Sequence, residues 1–302
     1  MIKNPKISVI ICTYNREKYL PLALYSLIKQ TIKPEDYEII IVNNNSTDRT
    51  EEISKKFIES NPQLNVKYVV EKQKGLSAAR NRGILESSGE IIVFIDDDAE
   101  VTDNYLEEGI KFFENYPYVD AMGGKIIPKY ENGEEPKWMS VFLWGLVTKS
   151  DWGDKVRKYP YSKYPPGCSM AFRKKVFSEV GMFNSNLFLR CDDKYIFRQL
   201  DLFNKKYLYN PDFVLYHNID NNRLSIESIK KISMVVGASE RIRLSNSSFA
   251  KKVLKVLEYI FKLFAAFIIA LYYFIKLDFE KGIYLIKNRW YTLIGYFKKS
   301  LL

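Results

Sequence analysis

The sequence predicts an α/β fold in which a mostly parallel sheet is flanked by helices and followed by a C-terminal helical appendage. Over the first hundred residues, continuous apolar, β-branched runs alternate with segments whose apolar residues recur at helical spacing. Such alternation is typical of a parallel sheet with crossover helices. The composition fits a sizeable core, since 47% of the 302 residues are apolar and 27% are charged, which excludes a disordered chain.

The predicted elements follow in order along the chain. The apolar runs predict strands at 6–12, 38–42, 66–70 and 90–95. Helical periodicity and capping residues predict helices at 17–30, 50–59, 76–87 and 101–116. Prolines and glycines punctuate 117–170, where we expect irregular structure with short strands. Ligands of such sheets bind outside the carboxyl ends of the strands, so the residues that follow each strand form the candidate site.

A polar turn follows the first strand, and it consists of Thr13, Tyr14, Asn15 and Arg16. The sequence has no glycine before Gly75, which excludes a glycine-rich dinucleotide turn and a phosphate-binding P-loop at this strand. The hydroxyl, amide and guanidinium groups of the turn can instead hydrogen-bond the base or the phosphates of a nucleotide. A plain polar strand-to-helix turn is the alternative.

Two further segments offer polar groups at the same edge of the sheet. The amides of Asn43, Asn44 and Asn45 can read the edge of a nucleobase, or they can form turns that cap the next helix. Segment 75–83 combines small residues, which permit close approach, with Arg80, whose guanidinium suits a diphosphate. The alternative for this segment is a packing helix with solvated arginines.

Three consecutive carboxylates, Asp96, Asp97 and Asp98, end the fourth strand and give the strongest local signal. They repel one another in a low-dielectric setting, so the arrangement favours a nearby cation. Oxygen ligands fit Mg²⁺ or Mn²⁺, and such ions usually complete their coordination with substrate phosphates. A solvated acidic loop is the alternative.

Two later segments carry further candidates. Asp192 and Asp193 open a predicted helix at 194–200, where a carboxylate can act as a general base or simply complement the helix dipole. The single histidine, His217, follows a strand-like run at 213–216. Its imidazole is either a structural side chain or a ligand that joins the aspartates around Mn²⁺ or Mg²⁺.

Together these segments resemble the family 2 inverting glycosyltransferases, which have a GT-A fold. The resemblance covers about residues 5–245, and the motifs arrive in the family's order. Those in the first hundred residues are Thr-Tyr-Asn at 13–15, a V-D-x-x-S-x-D-x-T-like stretch at 39–50, a G-x-x-x-A-R-N-x-G-like element at 75–83 and the D-x-D position at 96–98. The later ones are an acceptor-side segment at 166–173 and 181–183, the Glu-Asp position at 192–193, and a closing His segment at 217, 223–225 and 237–239.

The resemblance also implies residue roles. The nucleotide sugar would be bound by Thr13, Tyr14, Asn15, Arg16, Asn44, Arg80, Asp96 and Asp97, with Asp97 on the ribose. Asp98 would bind Mg²⁺ or Mn²⁺, His217 would help hold the metal or the diphosphate, and the base would be Asp193 or its neighbour Asp192. The sequence departs from the family where Asn43 and Asn44 replace an acidic pair and where Asp192 replaces the usual glutamate. No Q-x-x-R-W element follows, which argues against processive synthesis.

The expected activity is metal-dependent, inverting transfer from a nucleoside diphosphate sugar, in the first place a UDP-sugar, to a hydroxyl of a glycan or lipid-linked acceptor in cell-surface polysaccharide synthesis. Two other classes stay open. A sugar nucleotidyltransferase would normally carry a glycine-rich phosphate loop after the first strand. A non-catalytic nucleotide-sugar-binding or membrane-scaffold protein would not need both the aspartate triplet and the late aspartate pair.

The charge surplus of +10 is concentrated at the end of the chain, where 249–302 hold nine lysines and one arginine against three acidic residues. This shift predicts a boundary near 248, between a catalytic GT-A domain at 1–248 and a basic amphipathic helical region at 249–302. The apolar run 263–275 is short for a bilayer span and positive charge flanks it, so we expect helices lying on anionic lipid. The alternatives are one span at 259–277 and a helical pair packed on the catalytic domain or used in oligomerisation.

The sequence also predicts the compartment and excludes one partner class. Three scattered cysteines match neither a disulfide framework nor a zinc spacing, and the first apolar run is too short for a signal peptide. We therefore expect a reducing compartment and a peripheral or monotopic protein at the cytoplasmic face of the cell membrane. Nucleic acid is not an expected partner, because the basic residues are interleaved with apolar runs that suit lipid better.

Overall fold

The computed structural model describes residues 4–160, 162–186 and 191–298. Within this part of the chain there are two compact units, each continuous in space but not in sequence. The first unit is made of 4–128, 150–186 and 192–218, and the second of 129–149, Cys191 and 219–298. The boundary that the sequence predicts near residue 248 falls inside the second unit.

An eight-stranded sheet organises the first unit. The strands are β1 (Ile7–Thr13), β2 (Tyr37–Asn43), β3 (Asn65–Val70), β4 (Ile91–Asp96), β5 (Ala99–Val101), β6 (Ala121–Tyr130), β7 (Ser169–Arg173) and β8 (Tyr207–Ile219). The helices that flank it are α1 (Leu20–Ile28), α2 (Thr50–Ser60), α3 (Leu76–Glu86), α4 (Tyr105–Asn115), α5 (Val176–Val180) and α6 (Asp192–Leu202). The predicted α/β architecture is confirmed, and the four predicted strands agree with β1 to β4 to within one residue at each end.

The strand order is β3-β2-β1-β4-β7-β6-β8-β5. The first four strands are parallel, β7 is antiparallel to β4 and to β6, and β5 is antiparallel to β8. The sheet is therefore mixed, with a parallel half built from the alternating elements of the N-terminal sequence. Of the remaining strands, β6 lies within 117–170, where the sequence predicted only short strands in irregular structure, and β8 contains the strand-like run 213–216.

Both faces of the parallel half are covered, which explains its continuous apolar runs. Alternate residues of β1 belong to different clusters: Val9 and Ile11 pack on one face, and Ile10 packs on the other. The residues of β2 divide in the same way. Buried polar side chains near the start of these strands are paired with one another, as Ser8 is with Glu38 and Glu38 with Lys67. The other polar groups that the sequence singled out follow the strands at their carboxyl ends.

Three helices organise the second unit: α7 (Ile226–Arg243), α8 (Phe249–Ile275) and α9 (Phe279–Phe297). Helices α7 and α9 approach closely, since a Cβ at Gly237 would lie 2.1 Å from the Thr292 carbonyl oxygen and one at Gly295 would lie 2.1 Å from that of Met234. This unit has its own apolar core, in which Trp138 stacks on Tyr284 with ring centroids 4.7 Å apart. Throughout 4–160, 162–186 and 191–298, we find no helix with both the length and the apolarity that crossing a bilayer requires.

Candidate active site

The register of the parallel strands brings their polar ends together. Cys12 lies opposite Asp96, and Thr13 lies opposite Asn43, so β1, β2 and β4 end side by side. The turns that the sequence singled out after these three strands therefore share one edge of the sheet. This edge is the one at which ligands of parallel sheets bind.

A possible metal-binding group lies at the end of β4. Asp96, Asp98 and His217 each offer a ligand atom, and these atoms all lie within 4.8 Å of one another. His217 Nε2 is 3.2 Å from Asp98 Oδ1. The histidine arrives there because β5 directly follows the aspartate triplet and pairs with β8, which sets Ala99 opposite His217. Two carboxylates and an imidazole suit a hard or borderline divalent ion such as Mg²⁺ or Mn²⁺.

Arg16 holds the neighbouring carboxylates from the β1 side. Its Nε lies 3.5 Å from Asp97 Oδ1, and its Nη2 lies 3.5 Å from Asp98 Oδ2. Burial, with Asp98 beside it, raises the pKa of Asp97 to about 8, although Arg16 and the Thr13 hydroxyl oppose the shift. Burial also raises the pKa of Asp96, against the pull of Arg80. Neighbouring buried carboxylates repel one another when all are ionised. A bound cation would remove this repulsion and favour their charged form.

Arg80 crosses from α3 to the late aspartate pair. Helix α3 packs close to the sheet at Gly83, which has no side chain. A Cβ at this position would lie only 2.4 Å from Ile10 Cγ2. The buried guanidinium forms an ion pair with Asp192 through Nη1, and its Nη2 lies 3.4 Å from Asp96 Oδ1. Burial alone would lower the pKa of Arg80, but these carboxylates raise it above its usual value. Arg80 thus connects the N-terminus of α6 with the end of β4.

Gly167 permits this connection; the sequence placed it in the acceptor-side segment 166–173 but predicted no contact with Arg80. Its carbonyl oxygen accepts a hydrogen bond from Arg80 Nη2 at 3.0 Å, and a Cβ on this residue would lie 2.7 Å from the same nitrogen. The available signal was a glycine after two prolines in an otherwise aromatic segment. The sequence did not predict the contacts of Phe94 and Phe183 with Arg80 either, and their rings lie 5.7 and 5.5 Å from the Arg80 guanidinium carbon.

The two aspartates at the start of α6 have different surroundings. Asp192 is buried and ion-paired with Arg80. Asp193 is half-buried, and its Oδ2 accepts a hydrogen bond of 3.3 Å from the Gly167 backbone N–H. Burial and the neighbouring charge of Asp192 raise the pKa of Asp193 to about 6, with Arg80 opposing the shift. Asp192 is thereby held in an ion pair, while the carboxyl group of Asp193 can exchange a proton near pH 6.

The turn after β1 is tied to the loop after β2. Asn15 has a positive φ of 52°, and its Oδ1 accepts a hydrogen bond from the Thr47 backbone N–H at 2.8 Å. Its own backbone N–H donates to Ser46 Oγ at 3.0 Å. Tyr14, beside it, is 52% exposed, so its ring is accessible at this edge.

Asn44 is used differently from what the sequence predicted. Its Nδ2 donates to the carbonyl oxygens of Glu71 and Gln73 at 2.9 and 2.7 Å, and its Oδ1 accepts from the Gly75 backbone N–H at 2.8 Å. The amide therefore shapes the loop that leads into α3 instead of presenting its polar atoms to a ligand. This is the local-turn alternative that the sequence left open for 43–45, and Asn43 follows it too, bonding Tyr68 and Ser46.

Comparison with known proteins decides the family. Residues 8–181, more than half of the chain, match the description of Glycosyl transferase family 2. The chain belongs to this family. The predicted family is therefore confirmed.

Individual relatives agree with this membership. AglE, a glycosyltransferase of Haloferax volcanii, is 36% identical over 129 residues, which cover 43% of this chain and 42% of that protein. The chain thus spans less than half the length of AglE. The glucosyl-dolichyl phosphate glucuronosyltransferase of the same organism is 23% identical over 248 residues, covering 78% of this chain and 77% of that enzyme.

Solved structures show the same fold. The mannosyltransferase PcManGT from Pyrobaculum calidifontis, solved with GDP-Man and Mn²⁺, aligns with a TM-score of 0.63 at 16% identity over 96% of this chain and 88% of its own. TarS 1–349 of S. aureus, solved with UDP, aligns with a TM-score of 0.56 at 20% identity over 96% of this chain and 89% of its own. The family 2 chain therefore has the predicted GT-A fold.

Proposed function

We propose that this family 2 member is a metal-dependent, inverting glycosyltransferase that moves a sugar from a nucleoside diphosphate sugar to a hydroxyl of a glycan or lipid-linked acceptor. One observation carries the proposal. The ligand atoms of Asp96, Asp98 and His217 converge at the strand ends, and Arg80 joins this group to an aspartate pair of which one member titrates near neutral pH.

The donor side of the reaction falls to the residues at the ends of β1 and β4. Asp98 and His217, with Asp96, would hold Mg²⁺ or Mn²⁺, which neutralises the charge on the departing diphosphate. Arg16 contacts Asp97 and Asp98, and Thr13, Tyr14 and Asn15 precede it in the same turn. We assign these four residues to the donor nucleotide and Asp97 to its ribose. PcManGT was solved with GDP-Man and Mn²⁺ and TarS with UDP, which supports a nucleotide sugar as donor. A UDP-sugar stays our first choice.

The acceptor side falls to the start of α6. We assign Asp193 as the general base, because Asp192 is already ion-paired with Arg80. The acceptor oxygen forms a bond to the anomeric carbon while the bond from that carbon to the diphosphate breaks, and the acceptor proton passes to Asp193. Attack opposite the leaving group inverts the anomeric centre and needs no covalent intermediate.

We further propose that the acceptor is carried at the cytoplasmic face of the cell membrane, in cell-surface polysaccharide synthesis. The relative that aligns over 77% of its length is named for a dolichyl phosphate substrate, which supports a lipid-linked acceptor. A peripheral or monotopic arrangement agrees with the finding that no helix within 4–160, 162–186 and 191–298 suits a bilayer crossing.

The test is nucleoside diphosphate release from a panel of UDP- and GDP-sugars with water as acceptor. We expect release from one donor class with Mn²⁺ or Mg²⁺, loss of release with EDTA, and loss in Asp98→Asn but not in Asp154→Asn, whose side chain is 95% exposed. The anomeric configuration of the freed sugar, read by ¹H NMR before mutarotation, tests inversion. Donor binding without release by the wild-type chain would favour the non-catalytic alternative.

A further inference from the structure

The longest helix of the second unit exposes one continuous apolar surface. Its residues, which we call the α8 stripe, are at least 39% exposed, and they are Phe249, Val253, Leu254, Leu257, Ile260, Phe261, Phe264, Phe267, Ile268, Leu271, Tyr272 and Ile275. At 3.6 residues per turn they fall within an arc of about 140°, and the helix that carries them is about 40 Å long. An exposed apolar surface of this size marks a partner.

The stripe is not surplus core of the second unit. The opposite side of α8 already packs inward through Tyr259, Ala266 and Ala270, each buried. Ala270 is close enough to α9 that a Cβ at Gly282 would lie 3.1 Å from its Cβ. Helix α8 therefore has one face committed to its own unit and another face that is equally apolar and open.

Lysines line one edge of the stripe. Lys251, Lys262 and Lys276 are exposed and lie 11 and 14 residues apart, a spacing that returns to nearly the same side of a helix. Glu258 lies on this edge as well, and it is neutralised by Lys255 and Lys262 at 2.8 and 2.5 Å. The edge thus carries net positive charge beside an apolar surface.

Helix α9 repeats the arrangement. Phe279, Ile283, Trp290 and Phe297 are exposed, and their spacing of four, seven and seven residues places them on one line along that helix. Lys298 is exposed next to the last of them. Two neighbouring helices therefore each combine an inward face with an outward line of large apolar side chains.

We infer that the α8 stripe docks in the plane of an anionic lipid bilayer, with its apolar side chains below the headgroups and the lysine edge at the level of the phosphates. A surface of aromatic and aliphatic side chains with lysines along its edge has the composition of an interfacial helix. Long lysine side chains can keep their ammonium groups among lipid phosphates while the stripe is buried. This inference rests on the proposed function only for its biological meaning, namely that the enzyme works at a membrane. Lipid binding itself can be measured separately from sugar transfer.

A second copy of the chain is the competing occupant, and the charges argue against it. In a symmetric pair of stripes the lysine edges would approach one another or face apolar residues, with no acidic edge opposite. Anionic lipid supplies the opposite charge directly, and each lysine near such a surface strengthens attraction that falls with salt.

The experiment measures sedimentation of the full chain with vesicles of phosphatidylcholine alone or in an equimolar mixture with phosphatidylglycerol. We expect strong binding to the mixture, weaker binding to phosphatidylcholine and weakening by salt. Phe261→Asp with Phe264→Asp should weaken binding about a hundredfold, since two large apolar contacts are lost. The matched control is Leu202→Asp with Phe203→Asp at the end of α6, where both side chains are also exposed.

Thermal unfolding and nucleoside diphosphate release, measured for both double variants without lipid, should equal those of the wild-type chain. Equal binding of the two double variants to the mixed vesicles would overturn the inference. So would a wild-type chain that ignores vesicles and is dimeric by light scattering, with only the α8 variant monomeric. Lipid binding in a chain that releases no nucleotide would keep the docking surface and reject the proposed function instead.

Discussion

At the scale of single residues, the surroundings of two adjacent aspartates give them different chemistry. Asp192 is committed to a buried ion pair with Arg80, whereas Asp193 accepts hydrogen bonds from the backbone N–H groups of Gly167 and Lys194. A carboxylate oxygen has two lone pairs, so an oxygen that accepts one backbone hydrogen bond can still accept a proton from a substrate. This difference, which adjacency in the sequence hides, is the reason for our assignment of Asp193 as the base.

Replacing the base should stop transfer without stopping donor binding. We expect Asp193→Asn to lower kcat by about 10²–10⁴-fold, the usual contribution of a positioned base, because an amide cannot take the acceptor proton. The Kd for the nucleotide sugar, measured by calorimetry, should change little. The comparison is Asp192→Asn, which removes one of the two carboxylates paired with Arg80 and should affect donor binding and stability as well. Near-normal turnover in Asp193→Asn would remove this residue from the mechanism.

The pH dependence of kcat should report the same carboxyl group. Burial and Asp192 raise the pKa of Asp193 to about 6, so its protonated, inactive form grows as the pH falls below that value. At saturating donor and metal, kcat should be level above the pKa and fall tenfold per pH unit below it. A profile that stays level down to pH ~4 would show an aspartate with an ordinary pKa and contradict the assignment.

Removing a predicted metal ligand should weaken Mn²⁺ binding while the fold persists. We expect Asp98→Asn and His217→Gln each to raise the Kd for Mn²⁺, measured by electron paramagnetic resonance with UDP present, by about tenfold or more. The control is again Asp154→Asn, which should bind Mn²⁺ like the wild-type chain. Unchanged Mn²⁺ affinity in both ligand variants would place the ion elsewhere.

The sequence pointed to the candidate residues of the donor site more readily than to the residues that hold them in place. The aspartate triplet and His217 could be proposed as candidates because each directly follows an apolar strand-like run, at the edge where ligands of such sheets bind. The roles of Asn44 and Gly167 could not, since they depend on which backbone groups a folded loop brings near. An asparagine that bonds three backbone groups and one that binds a base look alike in a sequence.

At the scale of elements, periodicity predicted the parallel half of the sheet because both of its faces are buried. It failed for β6, whose Gly123 and Gly124 resembled turn residues. A Cβ at Gly124 would lie 1.7 Å from the Phe213 carbonyl oxygen, so this glycine marks the close approach of β8 to β6 instead of a turn. Long-range contacts of this kind carry no local signal.

The crossing of helices α7 and α9 should not tolerate even the smallest added side chain. A helical glycine replaced by alanine ordinarily gains about 1 kcal/mol of helix stability. At Gly295, however, the new methyl group would overlap the Met234 backbone, so we expect Gly295→Ala to destabilise the chain by about 1–3 kcal/mol. Among the described residues of the same unit, a Cβ added at Gly145 would meet no atom within 4 Å, and Gly145→Ala should leave stability unchanged. Urea unfolding measures the stability of both variants. Equal unfolding midpoints for Gly295→Ala and Gly145→Ala would contradict the tight crossing of the two helices.

At the scale of the whole molecule, the described residues form two sets of apolar clusters that share no residues. The clusters on the two faces of the sheet belong to the first unit, and those around Trp138 and Tyr296 belong to the second. The candidate active site lies wholly in the first unit, and the α8 stripe lies wholly in the second. Donor chemistry and lipid docking are therefore assigned to parts that can respond separately.

Calorimetry of the full chain should reveal this division as two thermal transitions. A ligand that binds one folded unit stabilises it by about 2.7 kcal/mol at a hundred times its Kd, which for a unit of this size is a rise in Tm of roughly 5–10 °C. Mn²⁺ with UDP should therefore raise one transition and leave the other in place. Gly295→Ala should do the converse, lowering only the transition that the ligands do not move. If ligands and substitution shift the same transition, the two units unfold as one, and the separation of donor chemistry from lipid docking has no energetic basis.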